Sequence, residues 1–358
     1  SKGSMKLLIS KLHYKKELTT YEKIVMFFLR FLSIFYSTVV KIRNFLYDTK
    51  ILKGYNSKSF VISIGNITTG GVGKTPVTLE TAKYYLGLNK KVAVLSRGYG
   101  GQLDNSKPNI ISDGSGAKYS ALLAGDEAVW LSDNAKGAYI VTCSSRIKAE
   151  KFIKEQYNPD IIILDDGFQH RKMKRDIDIV LVDAKSRFGN GLMLPAGPLR
   201  ERIKSIKRAD KVVVVNKNTD SKNALRYCDY LKRNFNKDTY LCKIVPDYVY
   251  NIFTGEKLEQ GTKIMAFSAI GQSNSFYNFL KRDYKLSVVL DFEDHHRYEK
   301  EDISKIIQFA QDENIDKVVT TEKDAVKLAD IIRDVDMPVR FYALKLKVYI
   351  DIKDICGI

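Results

Sequence analysis

The sequence predicts an α/β protein built on a doubly wound, mostly parallel sheet, and two observations support this fold class. First, several short apolar runs have the continuous hydrophobicity of strands that helices cover on both faces. Second, helix-like stretches separate those runs, which is the alternation of βαβ units. The predicted strands are residues 60–64, 91–95, 139–142, 161–165, 178–183 and 211–216.

The chain has 358 residues and 44% hydrophobic content, which suits two domains with separate cores. We expect an N-terminal amphipathic, membrane-associated helical segment at 5–48 and a first α/β domain at 49–220. A smaller α/β domain at 221–358 follows, with strand-like runs at 264–268 and 318–321. The predicted architecture therefore consists of two α/β domains preceded by one apolar helix.

The net charge of +17 is spread along the whole chain, which indicates an anionic partner. Nucleic acid, anionic lipid and polyphosphate all carry the required charge. The sequence has no zinc-type cysteine pair, aromatic ribonucleoprotein signature or basic recognition helix. Lipid and nucleotide phosphate are therefore favoured, and we expect no nucleic-acid partner. The four cysteines show no ligand-like spacing, which favours a reducing, cytosolic setting.

A glycine-rich segment at 65–75 follows the first predicted strand and precedes a helix-like stretch at 76–87. Such a loop aims backbone N–H groups and a helix N-terminus at phosphate oxygens. Lys74 would reach the terminal phosphates and Thr75 would offer its hydroxyl to Mg²⁺. Thr68 stands where the general phosphate-loop (P-loop) pattern has its first glycine, so a plain glycine-rich turn is the alternative. The glycines that would surround the phosphates are Gly70, Gly71 and Gly73.

Two carboxylates, Asp165 and Asp166, end the predicted strand at 161–165. Ligands of parallel sheets bind beyond the carboxyl ends of the strands, so these side chains are expected beside the phosphate loop, where they can hold or orient a metal. The alternative is a structural acidic turn, since Asp-Gly is common in turns. The adjacent polar residues Gln169, His170 and Arg171 make that alternative less attractive.

The segment 21–47 has the largest apolar concentration in the chain, with Arg30 near its middle and a narrow polar stripe at helical spacing. We expect an amphipathic helix in the membrane interface, because its uninterrupted apolar runs are short and basic residues follow at once. A helix packed on the protein core and a single spanning helix are the two alternatives.

Three further polar groups stand at the ends of apolar runs or in glycine-rich loops. Asp126 and Glu127 open a helix-like stretch, where Asp126 could also act only as a cap. A proline-glycine loop ends at Arg200 and Glu201, and His295 lies in a polar cluster of the second domain. Carboxylates and a histidine in two domains suit phosphoryl transfer in a closing cleft, where positioning and charge neutralisation supply most of the catalysis.

These motifs together resemble the tetraacyldisaccharide 4'-kinases of lipid A assembly, from the N-terminal segment to Leu328. The resemblance rests on the modified phosphate loop, on the DDGFQHR run at 165–171 and on shorter motifs at 96–99, 125–127, 194–201, 294–296 and 321–326. It implies transfer of the ATP γ-phosphate to the 4'-hydroxyl of tetraacyldisaccharide 1-phosphate, which forms lipid IVA. It also implies a peripheral or monotopic enzyme on the cytoplasmic face of the bacterial inner membrane. Ala128 departs from the family, which often has proline there.

The resemblance also implies residue roles. Asp126 is expected to act as the base toward the sugar hydroxyl, with help from His295. ATP is expected at Gly70, Gly71, Gly73, Lys74 and Thr75, and Mg²⁺ at Thr75, Asp165, Asp166 and Glu127. The C-terminal domain is expected to close over the nucleotide. The predicted substrate residues are Asn66, Arg97, Gln169, His170, Arg171, Arg200 and Glu201.

Two other functions fit parts of this pattern. A membrane-associated switch or partitioning-type ATPase explains the phosphate loop and the basic charge, but it gives no reason for the histidine cluster or for the loop at 194–201. A kinase with a soluble acceptor explains the motifs but not the apolar N-terminal segment.

Overall fold

The computed structural model describes residues 9–15, 17–217, 219–270, 273–293, 296–332 and 337–357. The chain forms two compact units that alternate along the sequence. Unit 1 contains the described residues up to Ser96, Ser145–Lys243 and those from Tyr349 onward. Unit 2 contains Arg97–Ser144 and Ile244–Val348.

The strands are β1 Phe60–Gly65, β2 Val92–Ser96, β3 Asn109–Asp113, β4 Tyr139–Thr142, β5 Ile161–Asp165, β6 Ile177–Asp183, β7 Lys211–Asn216, β8 Asp238–Asn251, β9 Lys263–Ser268, β10 Lys285–Asp291, β11 Lys317–Thr321 and β12 Arg340–Tyr349.

The helices are α1 Thr20–Asp48, α2 Lys74–Gly87, α3 Ala121–Ala124, α4 Asp126–Asn134, α5 Arg146–Tyr157, α6 Ser221–Phe235, α7 Ser273–Asp283, α8 Lys300–Asp312, α9 Glu322–Leu328 and α10 Ile352–Cys356, with a 3₁₀ helix at Ile203–Arg208. Residues 9–12 are also helical.

Unit 1 is built on parallel strands in the order β8-β7-β6-β1-β5-β2, in which β8 contributes its first residues. The inner strands are buried almost throughout, because α2 and α5 pack on the sheet as crossover connections. Ile64 pairs with Asp165, so the ends of β1 and β5 lie side by side. The predicted doubly wound parallel fold is confirmed.

Unit 2 is a second α/β unit, with β10, β9, β11 and β12 in parallel register. Its helices α7 and α8 contact β10, and its core contains Phe267, Ile306 and Leu328 among other apolar side chains. Strands β3 and β4 form an antiparallel pair in the same unit.

The compact units do not follow the single division at residue 220 that the sequence analysis gave. Residues 97–144 belong to the second unit, and residues 221–243 and those from 349 onward belong to the first. The functional division into a kinase domain and a closing domain stays a prediction.

Helix α1 is a 29-residue element that begins at a capping box formed by Thr19 and Glu22. At 1.5 Å per residue its length is roughly 43 Å. It is apolar and long enough to cross a membrane by length and composition alone. A narrow face is buried through Met26, Leu29 and Val40. The large apolar side chains that remain exposed are Tyr21, Ile24, Phe27, Phe28, Phe31, Leu32, Ile34, Phe35, Val39, Ile42 and Phe45.

Candidate phosphate-binding site and its connection to helix α1

The glycine-rich segment joins the end of β1 to the first turn of α2, so the predicted order of strand, loop and helix is confirmed. Gly70 and Gly73 have φ values of 105° and 101°, in the left-handed region that favours glycine. Gly65 meets a different constraint, because a Cβ there would lie 2.6 Å from the backbone nitrogen of Phe168. The loop is therefore shaped by its glycines and by the close approach of the turn after β5.

Lys74 is the first residue of α2, and its ammonium group is held by two side chains. Its Nζ donates to Asn66 Oδ1 at 3.1 Å and lies 3.6 Å from Asp166 Oδ1. These contacts fix the cation at the mouth of the loop, where phosphate oxygens would meet it.

Asp166 adopts a positive φ of 53°, which turns its carboxylate back toward the loop. Arg200 donates two hydrogen bonds of 2.9 Å to that carboxylate. It also donates to the Asn66 carbonyl at 3.0 Å. Burial opposes ionisation of Asp166, but the hydrogen bonds from Arg200 and the charge of Lys74 outweigh it and lower its pKa. Asp166 is therefore an anion between two cations.

Asp165 ends β5, and its side chain is almost fully buried. Its carboxylate accepts from the Thr78 hydroxyl at 3.4 Å, and its carbonyl accepts from Arg146 at 2.9 Å. The Thr75 hydroxyl belongs to the same first turn of α2. This donor set consists of hard oxygen atoms, which fit Mg²⁺. Glu127, the fourth predicted ligand, belongs to unit 2.

The polar residues after Asp166 make contacts in two directions. Gln169 donates to the Asn66 carbonyl at 2.8 Å, which braces the phosphate loop. Arg171 instead binds the end of α1, donating to the Asn44 carbonyl at 3.0 Å and to Asp48 at 2.8 Å. His170 lies in the intervening turn, where its backbone N–H donates to the Gly167 carbonyl.

Glu201 is fully buried. It pairs with Arg208 through hydrogen bonds of 3.0 and 3.1 Å and accepts from the Asn44 side chain at 2.8 Å. Arg43 lies 3.9 Å away. These contacts attach α1 to the turn after β5 and to the segment that carries Glu201. The role of Arg171 and Glu201 toward a substrate stays a prediction.

In unit 2, Asp126 is the first residue of α4, and the N-cap position belongs to Gly125. The Asp126 Oδ1 nevertheless accepts from the Glu127 backbone N–H at 3.0 Å, so the side chain also satisfies a donor of the first helical turn. Lys323 Nζ lies 3.8 Å from the Asp126 carboxylate and 3.7 Å from that of Glu127. Arg97 is exposed in the loop after β2.

His295, which is predicted to assist Asp126, lies outside the described residues, as does Asp294. The neighbouring His296 is described. Its Nε2 lies 2.8 Å from Asp302, and its ring stacks on Phe292. These contacts give His296 a structural place within unit 2.

The sequence model of a family described as tetraacyldisaccharide-1-P 4'-kinase matches residues 25–355. The chain belongs to this family. A tetraacyldisaccharide 4'-kinase of Halothermothrix orenii is 35% identical over 349 residues, covering 91% of this chain and 90% of the relative. One of Francisella tularensis subsp. novicida is 38% identical over 283 residues, covering 77% and 82%.

A solved structure supports the same family at the level of the fold. It is the crystal structure of LpxK from Aquifex aeolicus in complex with ATP, with a TM-score of 0.69 and 30% identity. The match covers 91% of this chain and 95% of that one. The resemblance inferred from the motifs is thereby confirmed, and the kinase function is favoured over a switch ATPase.

Further residues that the sequence did not single out contact the phosphate loop or Glu201 in this family member. Lys217 directly follows β7 and donates to the Gly71 carbonyl at 2.5 Å, while it lies 3.5 Å from Asp183. Asn44 and Arg208 bind Glu201. The position of Lys217 at a strand end was the one available signal, because the carboxyl ends of parallel strands meet at one edge.

Proposed function

We propose that this protein transfers the γ-phosphate of ATP to the 4'-hydroxyl of tetraacyldisaccharide 1-phosphate and forms lipid IVA, the precursor of lipid A. The observation that carries this proposal is the phosphate loop, where Lys74 stands at the start of α2 beside Asp166 and Arg200. Membership of the 4'-kinase family supports the choice of acceptor.

For the nucleotide, the loop residues Gly70, Gly71 and Gly73 would surround the phosphates, with Lys74 as the cation. Thr75, Asp165 and Asp166 would hold Mg²⁺, and Glu127 is the further candidate ligand from unit 2. The ion, when bound, would neutralise charge on the β- and γ-phosphates. Asp166 already carries the required negative charge, because Arg200 and Lys74 lower its pKa.

For the acceptor, Asp126 would take the proton of the sugar hydroxyl, with His295 as its assistant. Asp126 is positioned by the start of α4 and by the nearby ammonium group of Lys323. The residues that would contact the lipid headgroup or orient it are Asn66, Arg97, Gln169, His170, Arg171, Arg200 and Glu201. Asn66, Gln169 and Arg200 also brace one another around the Asn66 carbonyl.

The transfer itself is tested by incubating the detergent-solubilised protein with Mg²⁺, γ-labelled ATP and tetraacyldisaccharide 1-phosphate. We expect label in a bis-phosphorylated lipid and a near-complete loss of it in Lys74→Ala. Lys83→Ala is the matched control, because Lys83 is an exposed lysine of the same helix whose ion pair with Glu80 lies at the surface. A folded, ATP-binding protein that leaves all label in ATP or free phosphate would refute the kinase proposal and favour the switch ATPase.

The enzyme would work as a peripheral or monotopic protein on the cytoplasmic face of the bacterial inner membrane, where the acyl chains of its substrate reside. The exposed aromatic face of α1 supports this location, since such a face partitions into the acyl boundary. Lys41 is an exposed residue of the same helix and would meet anionic headgroups.

Flotation with anionic vesicles tests the membrane proposal. We expect the double variant Phe31→Ser, Phe35→Ser to lose most vesicle binding, because both rings are exposed and lie on one helix face. Phe309→Ser is the matched control, since Phe309 is an exposed phenylalanine of α8. Vesicle binding that is equal in the wild type and the double variant would contradict the proposal.

A further inference from the structure

The buried face of α1 is attached to the segment 193–201 by side-chain hydrogen bonds. Ser33 donates to the Met193 carbonyl at 2.9 Å and accepts from the Ala196 N–H at 3.0 Å. Tyr36 donates its hydroxyl to the Arg200 carbonyl at 3.0 Å. Helix α1 therefore contacts the backbone of the residue whose side chain reaches the phosphate loop.

The side chains of Arg200 and Glu201 make their contacts with different parts of unit 1. Arg200 holds Asp166 in a bidentate pair and donates to Asn66. Glu201 is fully buried and accepts from Asn44 and Arg208. Because the two residues are adjacent, a change in the position of Glu201 moves the backbone that carries the Arg200 guanidinium.

A continuous set of contacts thus runs from α1 to Lys74. The Asn44 amide holds Glu201, the neighbouring Arg200 holds Asp166 and Asn66, and those two residues hold the Lys74 ammonium. Asn44 occupies a special place in this set, since its backbone carbonyl also accepts from Arg171 in the DDGFQHR run. One residue of the apolar helix therefore contacts both motifs that line the phosphate loop.

We infer that Asn44 is a positioning residue for ATP: through Glu201 and Arg200 it fixes the carboxylate and the amide that hold Lys74. This inference rests on the proposed function, because it takes the ligand of the phosphate loop to be ATP. It assigns α1 a second task besides its proposed contact with lipid.

The test is a comparison of steady-state constants and of direct ATP·Mg²⁺ binding for the full-length protein in detergent. In Asn44→Ala we expect KM and Kd for ATP to rise about fivefold or more, which is the lower end of typical coupling between sites. The Kd for ATP is the deciding constant, because Arg171, Arg200 and Glu201 are also proposed to contact the lipid headgroup, so KM for the acceptor shifts with them. Asn44→Asp should weaken ATP binding further than Asn44→Ala, because it places a second carboxylate beside that of Glu201.

Two variants of the same helix separate positioning from general loosening of α1. Thr38→Ala removes only a bond to the helix's own Ile34 carbonyl, so both ATP constants should match the wild type. Ser33→Ala removes buried contacts to Met193 and Ala196, so it should lower the unfolding midpoint while KM for ATP stays within twofold of the wild type.

The inference is overturned if Asn44→Ala binds ATP as tightly as the wild type, or if Ser33→Ala raises KM for ATP as much as Asn44→Ala does. These outcomes are distinct from failure of the proposed function. In that case the wild-type protein itself would bind no ATP or would phosphorylate no lipid.

Discussion

Replacing Asp126 by asparagine is expected to lower the turnover number roughly a hundredfold or more, while ATP still binds. Asparagine has nearly the same size, but it cannot accept the proton of the attacking sugar hydroxyl. The side chain sits at the start of α4, 3.8 Å from Lys323, so the substitution removes one charge and little packing. Turnover is measured with labelled ATP and the lipid acceptor, and ATP affinity is measured separately.

Asp133→Asn is the matched control, because Asp133 is an exposed residue of the same helix that accepts from the Ala117 N–H. Its turnover should equal that of the wild type. His295→Ala should be less damaging than Asp126→Asn if the histidine only orients the base, and equal losses would mean that the two residues act as one unit. Near-normal turnover in Asp126→Asn would remove the base assignment.

The second large effect is on stability. Glu201→Ala is expected to lower the free energy of unfolding by roughly 3–5 kcal/mol, the usual cost of removing one partner of a buried ion pair. Glu201 is fully buried and Arg208 is mostly so, so the variant leaves the guanidinium without its carboxylate. Denaturant unfolding at pH 7 measures the loss.

The stability contributed by Glu201 should also depend on pH. Burial opposes ionisation of Glu201, but Arg208 and the Asn44 hydrogen bond outweigh it and hold its pKa below the ordinary value of 4.5. A carboxyl with a lowered folded-state pKa contributes stability above its unfolded pKa, and that contribution is lost as the pH falls through the folded value. The difference between wild type and Glu201→Ala should therefore be constant at neutral pH and shrink below pH 4.5.

Glu155→Ala serves as the control for both stability measurements, because Glu155 is exposed on α5. Its free energy of unfolding should lie within about 0.5 kcal/mol of the wild type at every pH. If Glu201→Ala has the same free energy of unfolding as the wild type, the buried pair with Arg208 does not stabilise unit 1.

The strands that the sequence predicted are those whose residues are buried on both faces. β1, β5 and β7 are nearly uninterrupted apolar runs, and each was located within one residue. β10 was not predicted, because its residues alternate between partly buried and exposed positions. β8 was also missed, since it is long, mixed in polarity and contains Pro246.

The sequence predicted the parts of the candidate site that are formed by residues consecutive in the chain. A strand, a glycine loop and Lys74 at a helix start are consecutive in sequence, so their geometry follows from the backbone. The hydrogen bond between Asn44 and Glu201 could not be predicted in this way, because the two residues are 157 positions apart. The burial of Glu201 could not be predicted either, since the sequence carries no signal for the direction of a charged side chain in a functional loop.

The alternating arrangement of the two units has a consequence for synthesis on the ribosome. Unit 1 takes in residues from Tyr349 onward, and α10 packs against α2, the helix that starts at Lys74. Residues 244–348 belong to unit 2 and are translated in between. The nascent phosphate-binding unit must therefore wait for a complete second unit to leave the exit tunnel before its own packing is finished. During that interval α1 already exposes its aromatic face, so early capture by the membrane would shield a chain that is still incomplete.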